Sequence, residues 1–348
     1  MAIITDRYDP KQGVTVISST GSQRFTENMD YFSQVFASVY SSVLNNKFAI
    51  DSCWESGNIY YANYDEGYVK KICFDGTVLA SLALTNPLAL SIFQYSDSMR
   101  TVIPDPPQDD RGCWIIDEYM DGFTKVARLV FTDHNLNIVK TIDPLTNPIC
   151  VIPAYDGGCY VADQTLQSIS RYSSSSVLLG TYTFLGIYPK ELALDLSNVT
   201  GNLWVLCSDD KVYNFSVTNT GFTLRFSISP IVFGSHVGAI DVDRNSTLSQ
   251  QYLYVTGGSR DSGWIKKYDK DGGLITSQTG LAMPFPYVLK AVQGYGSDRV
   301  YVLADFTKWD NYGYDSSSSS STEIRSSSSS NSSSSSNSSS SSSSSSPP

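Results

Sequence analysis

One aromatic position recurs along this chain at a nearly constant interval, and that recurrence limits what the chain can fold into. The runs are Gly57-Asn-Ile-Tyr-Tyr-Ala62, Gly112-Cys-Trp-Ile-Ile-Asp117, Gly158-Cys-Tyr-Val-Ala-Asp163, Asn202-Leu-Trp-Val-Leu-Cys207, Tyr252-Leu-Tyr-Val-Thr-Gly257 and Arg299-Val-Tyr-Val-Leu-Ala304. Their anchors, Tyr60, Trp114, Tyr160, Trp204, Tyr254 and Tyr301, are 54, 46, 44, 50 and 47 residues apart. Each run has strand propensity and turn residues at its borders. A second, small and apolar strand precedes each anchor: Phe48–Asp51, Leu88–Ser91, Ile149–Ile152, Leu192–Asp195, Gly238–Asp241 and Leu289–Val292. Such composition suits a strand buried on both faces.

A third strand follows the anchor and ends in a turn, as in Val69–Gly76 and Trp264–Asp269, with weaker copies at Ser168–Tyr172 and Lys211–Phe215. A fourth runs outward, as in Thr77–Leu82 and Leu274–Ser277. Four short antiparallel strands repeated every 44–54 residues describe a β-propeller blade. The expected fold is therefore all-β, a propeller of six four-stranded blades. The sixth set lacks its outer strands, whereas Asp6–Gly21 parallels Lys267–Gly280. The N-terminus is thus expected to pair with Val300–Ala304 and close the ring, which removes free sheet edges. Gln23–Asn46 fits the repeat poorly and reads as an irregular outer strand plus loop.

The pieces Ala49-Ile-Asp51, Gly57-Asn58, Tyr60-Tyr-Ala-Asn63 and Val69 to Phe74-Asp75-Gly76 resemble the NHL-repeat pattern, and Tyr160-Val-Ala-Asp163 repeats its centre. The resemblance spans most of residues 1–315. It departs at Asp117-Glu-Tyr-Met120 in the second repeat and at Cys207 in the fourth. It implies a six-bladed propeller. NHL members include binding modules, lyases and surface proteins, so the resemblance is nearly silent about function.

The chain has 24 Lys and Arg against 34 Asp and Glu, a net charge of −10, which speaks against a general phosphate-backbone binder. No nucleic-acid partner is expected. No apolar run approaches a membrane span; the longest, Val78–Phe93, is broken by Asn86-Pro87. The N-terminal residues lack the pattern of a secretory signal. The six cysteines, Cys53, Cys73, Cys113, Cys150, Cys159 and Cys207, have no metal-ligand spacing and read as buried hydrophobes; Cys150 and Cys159 flank a short turn and are the pair to watch for a disulfide. The two histidines, His134 and His236, are too few for a His-rich metal site.

Asp51, Asp195 and Asp241 share the end of the inner strand. Facing a central channel, they would make a ring of carboxylates suited to Ca²⁺, the one cofactor the sequence suggests. As turn residues they would accept backbone N–H groups, which is the preferred reading and extends to Asn63 and Asp163. No catalytic motif is present, and no catalytic residue is assigned. Gly257–Gly263 reads as an inter-strand loop. The six anchors are expected to pack between blades. Tyr95, Tyr119, Trp309, Tyr312 and Tyr314 are placed in loops and are the aromatic candidates for contacting a partner or a sugar.

From Ser316 to Pro348, 25 of 33 residues are Ser. Such a tail buries too little apolar area to order itself, and it reads as a linker or a glycosylated stalk. Ile324 is an apolar plug within it. Asn331 and Asn337 lie in N-x-Ser sequons, as does Asn214, with Asn198 and Asn245 in N-x-Thr. The domain reading is 1–315 propeller and 316–348 tail. The functional reading is a non-enzymatic interaction propeller that binds protein, self-associates through its tail, and belongs to an extracellular or virion surface or a filament. The alternatives are a secreted lyase or hydrolase with an acidic site at the channel mouth, and an intracellular protein-binding scaffold.

Overall fold

The computed structural model describes residues 6–9, 12–17, 48–52, 58–72, 77–93, 112–195, 201–218, 220–230, 235–242, 252–259, 262–281, 286–294 and 297–305. The strands in chain order begin with β1 (Asp6–Asp9) and β2 (Gln12–Ile17). The first blade is β3 (Phe48–Ser52), β4 (Ile59–Asn63), β5 (Tyr68–Ile72) and β6 (Val78–Ala83). The second is β7 (Asn86–Ile92), β8 (Cys113–Asp121), β9 (Thr124–Thr132) and β10 (Ile138–Leu145). The third is β11 (Pro148–Pro153), β12 (Cys159–Asp163), β13 (Ser168–Tyr172) and β14 (Leu178–Thr183). The fourth is β15 (Pro189–Leu194), β16 (Asn202–Cys207), β17 (Val212–Val217) and β18 (Phe222–Ile228). The fifth is β19 (His236–Val242), β20 (Tyr252–Gly258), β21 (Gly263–Asp269) and β22 (Leu274–Leu281). Last come β23 (Pro286–Gly294) and β24 (Ser297–Asp305).

Every sheet is four-stranded and antiparallel, and the fold is an all-β propeller. Five blades are built from four consecutive strands, against the six expected from the repeats. The sixth anchor, Tyr301, lies in a composite sheet of order β1-β2-β24-β23. There β2 lies beside β24, from Gly13 opposite Ala304 to Ile17 opposite Val300, the pairing expected of the N-terminus. Inner strands of successive sheets are in contact, from β3 with β7 through to β19 with β23.

Proline shapes the inner strands. Pro148 and Pro189 each open one and Pro87 is the second residue of another, and each is followed by a shift in ladder register. A proline has no N–H to give the ladder, so a bulge at that point leaves no broken pair. The N–H of the residue before each proline instead goes to the far end of the neighbouring strand. Asn86 donates to Asp117 Oδ1 (2.8 Å), Asn147 to Asp163 Oδ2 (2.9 Å) and Tyr188 to Ser208 Oγ (3.1 Å).

The core is a set of layers between adjacent sheets rather than one central mass. The described anchors, Tyr60, Trp114, Tyr160, Trp204 and Tyr254, are all buried in these layers or beside them, as expected of a packing position. Polar contacts link the blades at both radii. Near the axis, Asp51 Oδ2 accepts from Ser91 Oγ (3.2 Å) and Ile92 N (2.9 Å), and Glu191 Oε2 accepts from Ile240 N (2.7 Å). At the periphery a cation of one blade reaches the turn between third and fourth strands of the next. Lys71 donates to His134 O (2.8 Å), Lys140 to Ser174 O, and Arg225 to Asp271 (3.2 Å). Between the third and fourth blades Gly180 does this work by absence, since a Cβ there would lie 2.5 Å from Thr220 O.

Cys150 and Cys159 form no disulfide with each other. Cys159 lies opposite Pro153, while Cys150 lies opposite Ala162, so the two are out of register for a bridge. Burial pushes the thiols of Cys113, Cys159 and Cys207 up, which keeps them protonated.

Candidate functional site

The carboxylates expected at the inner-strand ends are buried, with Asp51 3%, Asp195 5% and Asp241 4% exposed. Each lies on or just beyond an inner strand, as expected. Asp51 serves β7 through Ser91 and Ile92, and Asp241 Oδ1 accepts the N–H of Val242 (2.9 Å). Asp195 borders a shallow surface dent with Asn202, Trp204, Tyr252 and Lys270. Among the described residues no group of three His, Cys, Asp or Glu side chains is arranged to hold a metal ion. Trp309, Tyr312, Tyr314, Ile324, Asn331 and Asn337, with Tyr95, lie outside the described residues. Asn214 is fully buried on β17 and accepts from Arg225, so its sequon is closed to a glycan in the folded chain.

The part of the molecule that stands out is the second blade. Asp163 ends β12 opposite Pro148, and Asp117 occupies the same register opposite Pro87. β12 stops there, but β8 runs on to Asp121 and returns as β9, pairing down to Asp121 opposite Thr124. Four additional residues per strand lengthen this ladder by about 13 Å past the rung where β12 ends, at about 3.3 Å per residue. The two-residue turn is Gly122-Phe123, with Gly122 at φ 61°. Glycine at the first central position is what such a turn demands, because it tolerates positive φ without steric cost.

The outcome is a continuous two-stranded arm with an apolar tip. Phe123 is 102% exposed and Met120 61% exposed. The polar groups along the arm's base are engaged within the protein. Asp117 is fully buried and accepts from Thr85 N (3.0 Å), Asn86 N (2.8 Å), Arg128 Nε (3.0 Å) and Arg128 Nη2 (2.8 Å). Glu118 accepts from Tyr64 Oη (2.6 Å) and Lys125 Nζ (2.6 Å). Tyr119 donates its hydroxyl to Asp143 (2.5 Å) beneath the guanidinium of Arg128. That bond to Asp143 holds the Tyr119 phenol above its ordinary value. The Tyr64 phenol is raised first by burial and then by its bond to Glu118. For Lys125, burial works against the charge but the Glu118 carboxylate outweighs it, and the ammonium is held above its ordinary range.

The arm rises from the side of the propeller that carries the turns between second and third strands and the connections between blades. Those two kinds of loop touch, as Leu84 N donates to Gly67 O (2.8 Å) and Phe184 N to Gln167 O (2.7 Å). Leu166 and Leu185, 54% and 95% exposed, belong to the same kinds of loop in the third blade. In the fourth blade the charges there are paired, Asp209 with Lys211 and Tyr213, Asp210 with Lys190 and His236. Tyr119 was among the aromatics singled out from the sequence, but as a loop residue; it lies within β8, opposite Val126. Phe123 and Met120 were not, although Asp121-Gly122 between alternating segments is a hairpin signal.

No family model matches the chain, and no curated protein matches it in sequence. Solved structures do. A crystal structure of BBS1N in complex with ARL6DN, soaked with mercury, superposes with a TM-score of 0.51 at 13% identity, over 87% of this chain and 93% of that one. A lead-soaked crystal of the same complex gives 0.52 at 13% identity, over 84% and 87%. At this identity the likeness is one of fold, and the chain is similar to these proteins as a β-propeller.

Proposed function

We propose that this chain is a non-catalytic interaction propeller that binds a protein through the β8–β9 arm and the loops around its base. The observation that carries the reading is the fully exposed Phe123 on a two-residue turn above a base where Asp117 pairs with Arg128 and Glu118 with Lys125. A two-residue turn fixes the backbone that presents the aromatic, which limits the backbone entropy lost on binding, and aromatic anchors dominate interface energetics. The similar structure is one of BBS1N in complex with a protein, ARL6DN, which accords with such a role without assigning a partner here. Regular blades need no such arm, so its length and tip are not accounted for by folding.

The composite sheet is read as a sixth blade that closes the ring, with the repeat a divergent NHL type; the β2–β24 pairing and the motif residues Ala49–Asp51 and Tyr160–Asp163 support this. An extracellular or virion surface, or a filament, suits a rigid head on a polar stalk, with 25 Ser in the last 33 residues as the stalk, Asn331 and Asn337 as glycan acceptors, and Trp309, Tyr312, Tyr314 and Ile324 as assembly contacts. The test is retention of a partner by the full-length chain immobilised beside a Met120→Ala/Phe123→Ala variant of equal thermal stability. Loss of a specific retained protein with the variant is expected. Equal retention by both overturns the arm's role.

A further inference from the structure

Aspartate precedes glycine four times in the chain, at Asp75, Asp121, Asp156 and Asp271, and Asp75 lies outside the described residues. In such a pair the amide nitrogen of the glycine can attack the side-chain carbonyl of the aspartate, because no Cβ keeps the two apart. All three described pairs sit in turns with glycine at positive φ, Gly122 at 61°, Gly157 at 80° and Gly272 at 83°. Glycine conformation therefore does not separate them; what engages the reacting atoms does.

Two of the pairs are tied down. Gly157 N donates to Ala154 O (3.1 Å), and the Asp156 carboxylate pairs with Arg171 and accepts from Gly158 N (3.0 Å). Gly272 N donates to Asp269 O (3.1 Å), and Asp271 pairs with Lys270 (2.7 Å) and Arg225 (3.2 Å). The bond to Lys270, joined by Arg225, holds the Asp271 carboxyl below its ordinary value and so in the charged form. At the tip of the arm these restraints are missing. Asp121 and Gly122 are exposed, and Gly122 N donates to no backbone carbonyl among the described residues. No hydrogen bond or ion pair among them holds the Asp121 carboxylate, and a Cβ on Gly122 would meet nothing within 4 Å.

We infer that Asp121-Gly122 is a self-modifying site, at which the arm converts slowly to an isoaspartyl linkage. Gly122 N bonds to the side-chain carbonyl carbon of Asp121, and the carboxyl hydroxyl leaves with the amide proton as water, closing a succinimide. A second water opens the ring at the main-chain carbonyl, so the conversion needs no oxidant, reductant or enzyme. The main chain then runs through the Asp121 side chain and is longer by one methylene. A two-residue turn that sets Asp121 opposite Thr124 does not accommodate that extra atom, and Phe123 is displaced. The conversion thereby switches the arm off, a consequence that rests on the function proposed above, whereas the chemistry does not.

The test is peptide mapping of the full-length chain after warm storage, native and in urea, with isoaspartate scored separately at Asp121, Asp156 and Asp271. In urea the three should convert at comparable rates, because the fold no longer distinguishes them. In the native chain Asp121 should convert about tenfold faster than the other two. Its conversion should also be faster at about pH 5 than at about pH 8, since the neutral carboxyl is the form that loses water. Native conversion at Asp156 or Asp271 that matches Asp121 overturns the inference, as does an unchanged Asp121 while the unfolded chain converts. For the switch, aged protein should lose the partner that fresh protein retains, in proportion to isoaspartate at position 121. Repair by an isoaspartyl methyltransferase with its methyl donor should restore retention. Undiminished retention by aged protein, or loss that repair does not reverse, overturns the switch. Fresh protein that retains no partner refutes the proposed function, and the mapping still decides the site.

Discussion

The second and third blades share a plan and differ at one rung. In the third, Asp163 ends its strand and bridges two elements: Oδ1 accepts Leu166 N (2.8 Å) in its own turn, and Oδ2 accepts Asn147 N at the next strand over. In the second, Asp117 keeps the outer half of that arrangement through Thr85 and Asn86. Its turn is gone, because the strand continues, and Arg128 from β9 supplies the missing donors. A repeat can thus be lengthened into an arm without leaving a buried carboxylate unpaired, provided a cation replaces the lost backbone N–H. The fourth blade makes the opposite change. Cys207 replaces the carboxylate, and Ser208 takes over the bond to the residue before proline.

Removing these carboxylates separates the two blades. Asp117→Ala leaves Arg128 partly buried without its counterion and frees two backbone donors, and is expected to cost about 3–5 kcal/mol in urea denaturation. Asp163→Ala loses neutral donors only and should cost about 1–2 kcal/mol, in the range of a lost cap. Equal losses would mean that the arm's base is held as the ordinary turn is. Phe123→Ala carries the comparison to function. Its stability should match wild type within about 0.5 kcal/mol, while partner affinity falls at least tenfold, as for an interface anchor.

Smaller effects sharpen the picture. Cys113, Cys159 and Cys207 should resist a thiol reagent in the native chain and react once it is unfolded, read by mass of labelled peptides. Calcium should leave the melting temperature unchanged, because Asp51 and Asp241 already serve backbone donors; a rise of several degrees would assign them to an ion. Smallest is an acid effect in the second blade's turn between β9 and β10. Partial burial alone would raise the Asp133 carboxyl, but the Asn137 side chain and the N–H groups of Asn137 and Asn135 outweigh it and hold it below 3.8. The stability it confers is then complete above that value and lost as pH falls through the lower folded value. The difference between wild type and Asp133→Asn should shrink in that acid window, measured by chemical denaturation.

The plan of the blades was legible because one aromatic per repeat sits at the same rung. Tyr60, Trp114, Tyr160, Trp204 and Tyr254 each report a buried second strand through volume and spacing alone. The inner strands were legible for the same reason, being small and apolar. The arm was not, because Glu118, Tyr119 and Lys125 are ordinary surface residues in sequence and acquire meaning only when Tyr64 and Asp143, from other strands and loops, reach them. Asp51, Asp195 and Asp241 were legible only as a shared repeat position; that Asp51 accepts from Ser91 and Ile92 of the next blade is not something sequence spacing encodes.

Site-specific photo-crosslinking in extract of the native source addresses the central claim most directly. A photoreactive phenylalanine replaces Phe123 at the arm's tip or Ser175 in an exposed turn of the third blade. A discrete protein adduct from position 123 that is absent from position 175 is the predicted result. Adducts from both positions in equal yield, or from position 175 alone, would contradict the account.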